Sequence, residues 1–173
     1  DGLYDDATQV YCIVCHDLVL NKTYKYGPQN INEALKHLLS ADALIGHNIM
    51  FYDIPLLAKL YDIDLKCKVI DTLVCTRLIW PKEKLAEMDY SYMQQVPPRL
   101  KGSASLKAWG YRLADHKIDF KDFSHYTEEM LEYCVQDVNV TKKLLLHIIK
   151  QNYPQPPLAI EHEFAYYLSL IHI

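Results

Sequence analysis

Two carboxylates in this chain stand where a carboxylate needs a partner. Asp137 lies in the middle of a long helical pattern, beside its apolar stripe, with Tyr133 one turn earlier on the same face. A carboxylate so placed needs a cation, a hydrogen-bond donor or a metal ion. A core Asp bonded to the tyrosine hydroxyl meets that need as well as a reactive group does. Asp53 follows Tyr52 and stands five residues after Asn48, just past the apolar run DALIGH. In open α/β sheets ligands bind beyond the carboxyl ends of strands, so Gly46 to Asp53 falls where a site belongs. The alternative for Asp53 is a helix cap, because Ile54-Pro55 follows it. Asp71, ahead of Thr72, reads as a cap in the same way.

Other reactive types carry less. Cys12 and Cys15 have the CxxC spacing, but on a strand an offset of three puts them on opposite faces. No second Cys or His pair completes a zinc set. His47 reads as a hydrogen-bonding residue, and the remaining histidines lack ligand spacing. Between Pro97 and Lys121 stand Arg99, Lys101, Lys107, Arg112, Lys117 and Lys121, interleaved with Trp109, Tyr111 and Phe120. Such a run could face a phosphate backbone, or be a solvated surface with Trp109 in the core.

The elements that must position these groups follow from periodicity. Val10 to Asp17 reads as a strand, and Leu18 to Tyr26 as its antiparallel partner, with a turn at Asn21-Lys22. Asn30 to Leu39 has helical spacing in Ile31, Ala34, Leu35, Leu38 and Leu39. A buried strand at Asp42 to His47 precedes a helix at Ile54 to Tyr61. A brief strand at Val69 to Asp71 precedes a helix ending near Ile79. Pro81 to Ser103 shows no period and reads as a long loop. Ser105 to Leu113 is helical. Thr127 to Lys150 is the strongest helix, capped by Thr127, with Met130, Cys134, Val138, Thr141, Leu145 and Ile148 as its buried stripe. Asn152 to Pro157 reads as a linker, and Glu161 to Leu170 as the start of another helix. Strands first, then strands alternating with helices, predict an α/β three-layer fold with a mixed sheet.

Composition narrows the class. The 173 residues are half hydrophobic and 23% charged, which excludes disorder and fits one domain. No apolar run is long enough for a membrane helix, so no membrane partner is expected. The net charge is −4, so a nucleic-acid role needs metal ions or a local basic patch. Five cysteines, an odd number without framework spacing, predict a reduced, cytoplasmic setting.

Taken together, Asn48 to Tyr52-Asp53 followed by Tyr133-xxx-Asp137 resembles the second and third motifs of the DEDD 3′–5′ exonucleases, the Tyr marking the DEDDy subgroup. The segments LIGHNIMFYDIPLLAKL, IDTLVCTRLI, GSASLKAWGYRL and EEMLEYCVQDVNVTKKLL resemble the proofreading domain of phage family A DNA polymerases. The resemblance implies an RNase H-like fold that hydrolyses single-stranded DNA from its 3′ end with two divalent ions, Mg2+ or Mn2+. It implies that Asp137 and Asp53 are metal ligands, that Tyr133 orients the attacking water, and that Asn48 and Tyr52 shape the strand-binding cleft. Leu3 would match the family's leucine that wedges against the terminal base. Residues 1–151 would be the exonuclease domain, and residues 152–173 a linker and the start of a polymerase domain in the same chain.

One part of the family pattern is not matched. The first motif, Asp-x-Glu on the first central strand, would lie upstream of Asp1; Asp1, Asp5 and Asp6 read as loop acids. The expectation is therefore a central strand missing from this chain, with weak or no nuclease activity and reduced stability. Two rival readings are a stand-alone ribonuclease D-like RNA exonuclease and a degenerate RNase H-like module that binds without cleaving.

Overall fold

A computed structural model describes residues 6–91, 96–115, 120, 122 and 124–171, with side chains through Ser169. Among the described residues the chain is a mixed α/β structure of four short strands and seven α-helices.

β1 (Ile13–Asp17) and β2 (Lys22–Tyr26) form an antiparallel ribbon in which Cys15 pairs with Tyr24. The turn between them covers Leu18 to Asn21 rather than centring on Asn21-Lys22, and Asn21 takes a left-handed φ of 50°. Asp17 Oδ1 accepts from the N–H groups of Val19 and Leu20, both at 2.8 Å, and so starts the turn. α1 (Ile31–Leu39) follows a 3-10 turn at Pro28–Asn30. It buries Ile31, Ala34 and Leu35, with Leu38 half-buried, as its period predicts. Leu39 is 50% exposed.

β3 (Ala43–Gly46) pairs in parallel with β4 (Lys68–Asp71), with α2 (Asp53–Tyr61) between them in sequence. α3 (Thr72–Ile79) starts directly at the end of β4. The four strands form two separate pairs among the described residues, not the single mixed sheet expected.

The segment read as a loop contains α4 (Lys82–Ser91) and a 3-10 turn at Pro98–Leu100. The helix escaped periodicity because its buried residues are Leu85 and Asp89, one of them a carboxylate. α5 (Leu106–Arg112) is capped by Ser105, whose side chain accepts from Ala108 N–H at 3.3 Å. α6 (Glu128–Lys150) begins at Thr127, whose hydroxyl accepts from Met130 N–H at 3.0 Å, as expected. The fully buried part of its stripe is Met130, Leu131, Val140, Leu144, Leu145 and Ile148. Cys134, Val138 and Thr141 are only half-buried. The helix packs on β1, α3 and α5.

α7 (Gln155–Ile171) starts inside the stretch read as a linker, with Pro156 and Pro157 in its first turn, where missing N–H groups cost nothing. It packs against α3. His162 makes the joint: Nδ1–H donates to Leu158 O at 2.7 Å, and Nε2 accepts from Asp71 N–H at 2.9 Å. His162→Ala leaves that buried N–H without its acceptor. We expect a loss of about 1–3 kcal/mol, read in denaturant unfolding, with faster proteolysis within α7.

The larger core joins α3, α4, α5 and α6 through Cys75, Ile79, Trp80, Leu85, Trp109 and Leu144. Trp80 packs at 5.1 Å on Trp109 and stacks at 5.2 Å on His147. A smaller core joins Ile31, Leu35 and Leu57.

Candidate active site

The loop from β3 to α2 is built around Asp71. Its carboxylate is wholly buried and accepts three backbone N–H groups: Asn48 at 2.9 Å and Leu73 at 2.8 Å on Oδ1, and Met50 at 3.2 Å on Oδ2. The expected cap is there, since Leu73 N–H is an orphan of α3. The same carboxylate also fastens the loop that carries Asn48, Tyr52 and Asp53. Nothing in the spacing of the sequence separates this clasp from an ordinary cap.

Asn48 has a left-handed φ of 65°. Asn tolerates that region better than most residues, a structural reason for its presence. Its carbonyl accepts from Tyr52 N–H at 3.1 Å, closing the turn before α2. Gly46 is required by close approach, because a Cβ there would lie 2.7 Å from Ile49 Cβ. His47 Nδ1 is 2.9 Å from Thr72 Oγ1, and that hydroxyl donates to Gly46 O at 3.1 Å. The histidine is thus held by hydrogen bonds, as expected.

Asp53 is the first residue of α2. Tyr52 occupies the cap position, and no side chain makes a cap hydrogen bond. The capping alternative for Asp53 therefore fails. Burial pushes its carboxyl up to about 6, and the charges of Asp71 and Asp137 push the same way, against a lowering by its own N–H. The residue as a whole is solvent-exposed. Burial, followed by the Asp53 charge, also raises Tyr52.

Asp137 lies on α6 with a buried Oδ1, one turn after Tyr133. Tyr133 packs against Phe120, ring centroids 5.8 Å apart. The Asp137 charge is the smallest of the influences that raise the Asp53 carboxyl. Leu3, Asp1 and Asp5 lie outside the described residues, and Asp6 is exposed in a turn.

No group of three or more His, Cys, Asp or Glu side chains forms a metal cage among the described residues. Asp71 has no ligand role, because its oxygens are taken by backbone donors. Asp53 and Asp137 do fit a hard divalent cation: both offer carboxylate oxygens, and a cation relieves the crowding that raises Asp53.

The two cysteines of the CxxC spacing look at different neighbours. Cys12 Sγ is 3.5 Å from Cys134 Sγ, and Cys15 Sγ is 3.6 Å from His37 Nδ1.

Beside the loop opens a cleft of about 940 Å³. It meets the candidate site at His47 and Asn48 and includes neither Asp53 nor Asp137. Among the described residues four cations line it, Arg77, Lys82, Arg99 and Lys101, and no carboxylate does. The basic run read from the sequence is therefore divided. Arg99 and Lys101 face the cleft, Trp109 is in the core, and Arg112 is buried against Asp89. Lys117 and Lys121 lie outside the described residues.

Asp89 was not singled out by sequence, and Arg112 only as one cation of the basic run. Their side chains are 0% and 2% exposed. Nε donates to Oδ1 at 2.8 Å and Nη2 to Oδ2 at 2.7 Å. Burial pushes the Asp89 carboxyl up, but Arg112, the Gly102 N–H and Lys101 outweigh it, so the group stays below its ordinary range. A carboxyl lowered on folding stabilises above its unfolded pKa, and the stabilisation is lost as pH falls through the folded value. Melting temperature should therefore drop on acidification, and drop less steeply in Asp89→Asn, in thermal scans from neutral to acid pH.

The mixed α/β fold carries Asp53 at the start of α2 and Asp137 on α6, with a basic cleft beside the β3–α2 loop. Residues 7–152 match the family model of the 3′–5′ exonuclease of family A DNA polymerases, and the chain belongs to that family. It is 31% identical over 186 aligned residues to the DNA-directed DNA polymerase of Escherichia phage T7, and 30% identical to that of Enterobacteria phage T3. Each alignment covers 91% of this chain and 26% of the relative, so the chain spans about a quarter of their length.

Proposed function

We propose that this domain removes nucleotides from the 3′ end of single-stranded DNA, as the proofreading part of a DNA polymerase that continues in the same chain. The observation that carries the reading is the exonuclease family match over residues 7–152, and the Asp137 charge among those that raise the Asp53 carboxyl supports it.

In this reading Asp53 and Asp137 hold divalent ions, Mg2+ or Mn2+. When bound, the ions supply an activated water and neutralise the charge that develops on phosphate. Tyr133, on the same face of α6 as Asp137, orients the water. Asn48 and Tyr52 shape the entry for the terminal nucleotide, with Leu3 against its base. The cleft lined by Arg77, Lys82, Arg99 and Lys101 takes the phosphates behind that nucleotide. A local patch of this kind answers the net charge of −4.

The RNase H-like layering belongs to the same proposal. It would join the β1–β2 and β3–β4 pairs into one mixed sheet through a further strand that carries the first acidic motif. The separation of the two pairs supports this. Residues 1–151 would be the exonuclease domain, and 152–173 the passage into the polymerase. The family match ending at residue 152 supports that division.

The test is the full-length gene product on 5′-labelled single strands of DNA and of RNA, with magnesium or manganese. Shortening of DNA from the 3′ end, with RNA degraded at least about tenfold more slowly, supports the proposal. A preference for RNA turns it toward a ribonuclease D-like enzyme. Binding of either strand without shortening makes the domain a binding module.

A further inference from the structure

The basic wall of the cleft does not hold itself up. Arg99 lies in the 3-10 turn Pro98–Leu100 and Lys101 directly after it, on the way to α5, and three contacts from α4 fix that segment. Asp89 Oδ2 accepts Gly102 N–H at 2.8 Å while its carboxylate grips Arg112. The Tyr90 ring lies under Lys101 Nζ, 3.9 Å from the centroid. Ala86 packs so closely beneath Gly102 that a Cβ there would stand 3.2 Å from its own, and Gly102 has a left-handed φ of 72°. From the other side Arg112 Nη1 donates to Ser103 O at 2.7 Å, and Arg112 stacks 4.9 Å over Trp109.

The bidentate geometry adds meaning to these contacts. A buried ion pair is a poor source of stability against an apolar replacement, but it imposes a single arrangement on the groups that satisfy it. Here the satisfied groups are the backbone of Gly102 and Ser103, next to the lysine that lines the cleft.

We infer that Asp89 and Arg112 form a positioning pair for strand binding: through Gly102 and Ser103 they hold the Arg99–Ser105 wall so that Arg99 and Lys101 face the phosphates. The inference rests on the reading of the cleft as the strand's path. Neither residue touches the strand; each acts through the loop.

The test measures binding of a fluorescein-labelled oligothymidylate to the 173-residue chain by anisotropy in EDTA, across a series of salt concentrations. Each phosphate contact on a single strand contributes about 0.7 to the slope of log Kd against log salt. Arg99→Ala with Lys101→Ala should weaken binding about tenfold or more and cut the slope by about 1.4. Asp89→Asn should weaken binding about fivefold, cut the slope by about 0.7 or more, and add little when combined with the first two. Gly102→Ala reaches the same loop without touching the ion pair and should do likewise, which covers failure of Asp89→Asn to fold. A merely structural pair lowers the melting temperature but leaves the affinity and slope of the folded protein at wild-type values. That result, with the Arg99/Lys101 change still effective, overturns this inference alone. Wild-type binding by the Arg99/Lys101 variant overturns the strand path and this inference with it.

Discussion

Replacing Asp137 by Ala in the full-length gene product should lower magnesium-dependent release of 3′-terminal nucleotides by about a thousandfold or more. Losing a carboxylate that anchors a catalytic cation forfeits several kcal/mol of transition-state stabilisation. At about 1.4 kcal/mol per factor of ten, roughly 4 kcal/mol corresponds to three orders of magnitude. Asp53→Asn should act in the same direction. Folding should survive, because α6 is held by Met130, Leu131, Val140, Leu144 and Ile148 rather than by its carboxylate. The measurement pairs single-turnover degradation of 5′-labelled DNA with a melting curve. The other account of Asp137, a core acid bonded to a tyrosine, predicts the reverse split. On that account stability falls, and activity per folded molecule stays within about tenfold of wild type.

Asp71→Ala should be among the most damaging substitutions for stability, at about 4 kcal/mol. The carboxylate is wholly buried, and the Asn48, Met50 and Leu73 N–H groups converge on it. Each buried donor left without an acceptor costs about 1–3 kcal/mol, and a small side chain also leaves a void. Asp71→Asn keeps one acceptor oxygen but turns an N–H₂ toward donors, so it should cost about half as much. Denaturant unfolding gives both values. A loss below about 1 kcal/mol for the alanine variant would mean that the β3–α2 loop holds its shape without the clasp. Exonuclease activity should fall with Asp71→Ala even where the protein remains folded, since Asp53 follows directly on the clasped loop.

Local rules made much of this legible. The Thr127 cap and the Ile31–Ala34–Leu35 face rest on groups within a few residues of each other. The candidate site residues rest on motif spacing instead. Asn48, Tyr52, Asp53, Tyr133 and Asp137 have spacings that the family match at residues 7–152 overlies. α4 was not legible, because its packed face is Leu85 plus a charged residue, and a carboxylate joins a core only when a guanidinium far along the chain meets it. The same pairing removed Arg112 from a run of cations that looked uniform in sequence. His162 carried no signal, because its partner is the backbone N–H of Asp71, far away in sequence at the end of β4.

What the sequence determined by itself was therefore the helix periods and caps, the residue types that could handle a metal and a phosphate, and the family. Only the tertiary structure decided which of those residues meet. It set Asp71 as the clasp of the loop that carries Asn48, Tyr52 and Asp53. It kept Arg99 and Lys101 at the cleft while burying Arg112. The physical reason is range: capping and amphipathic periods act over one or two helical turns, whereas the desolvation and pairing of a charge depend on whatever side chain or backbone group the fold places next to it.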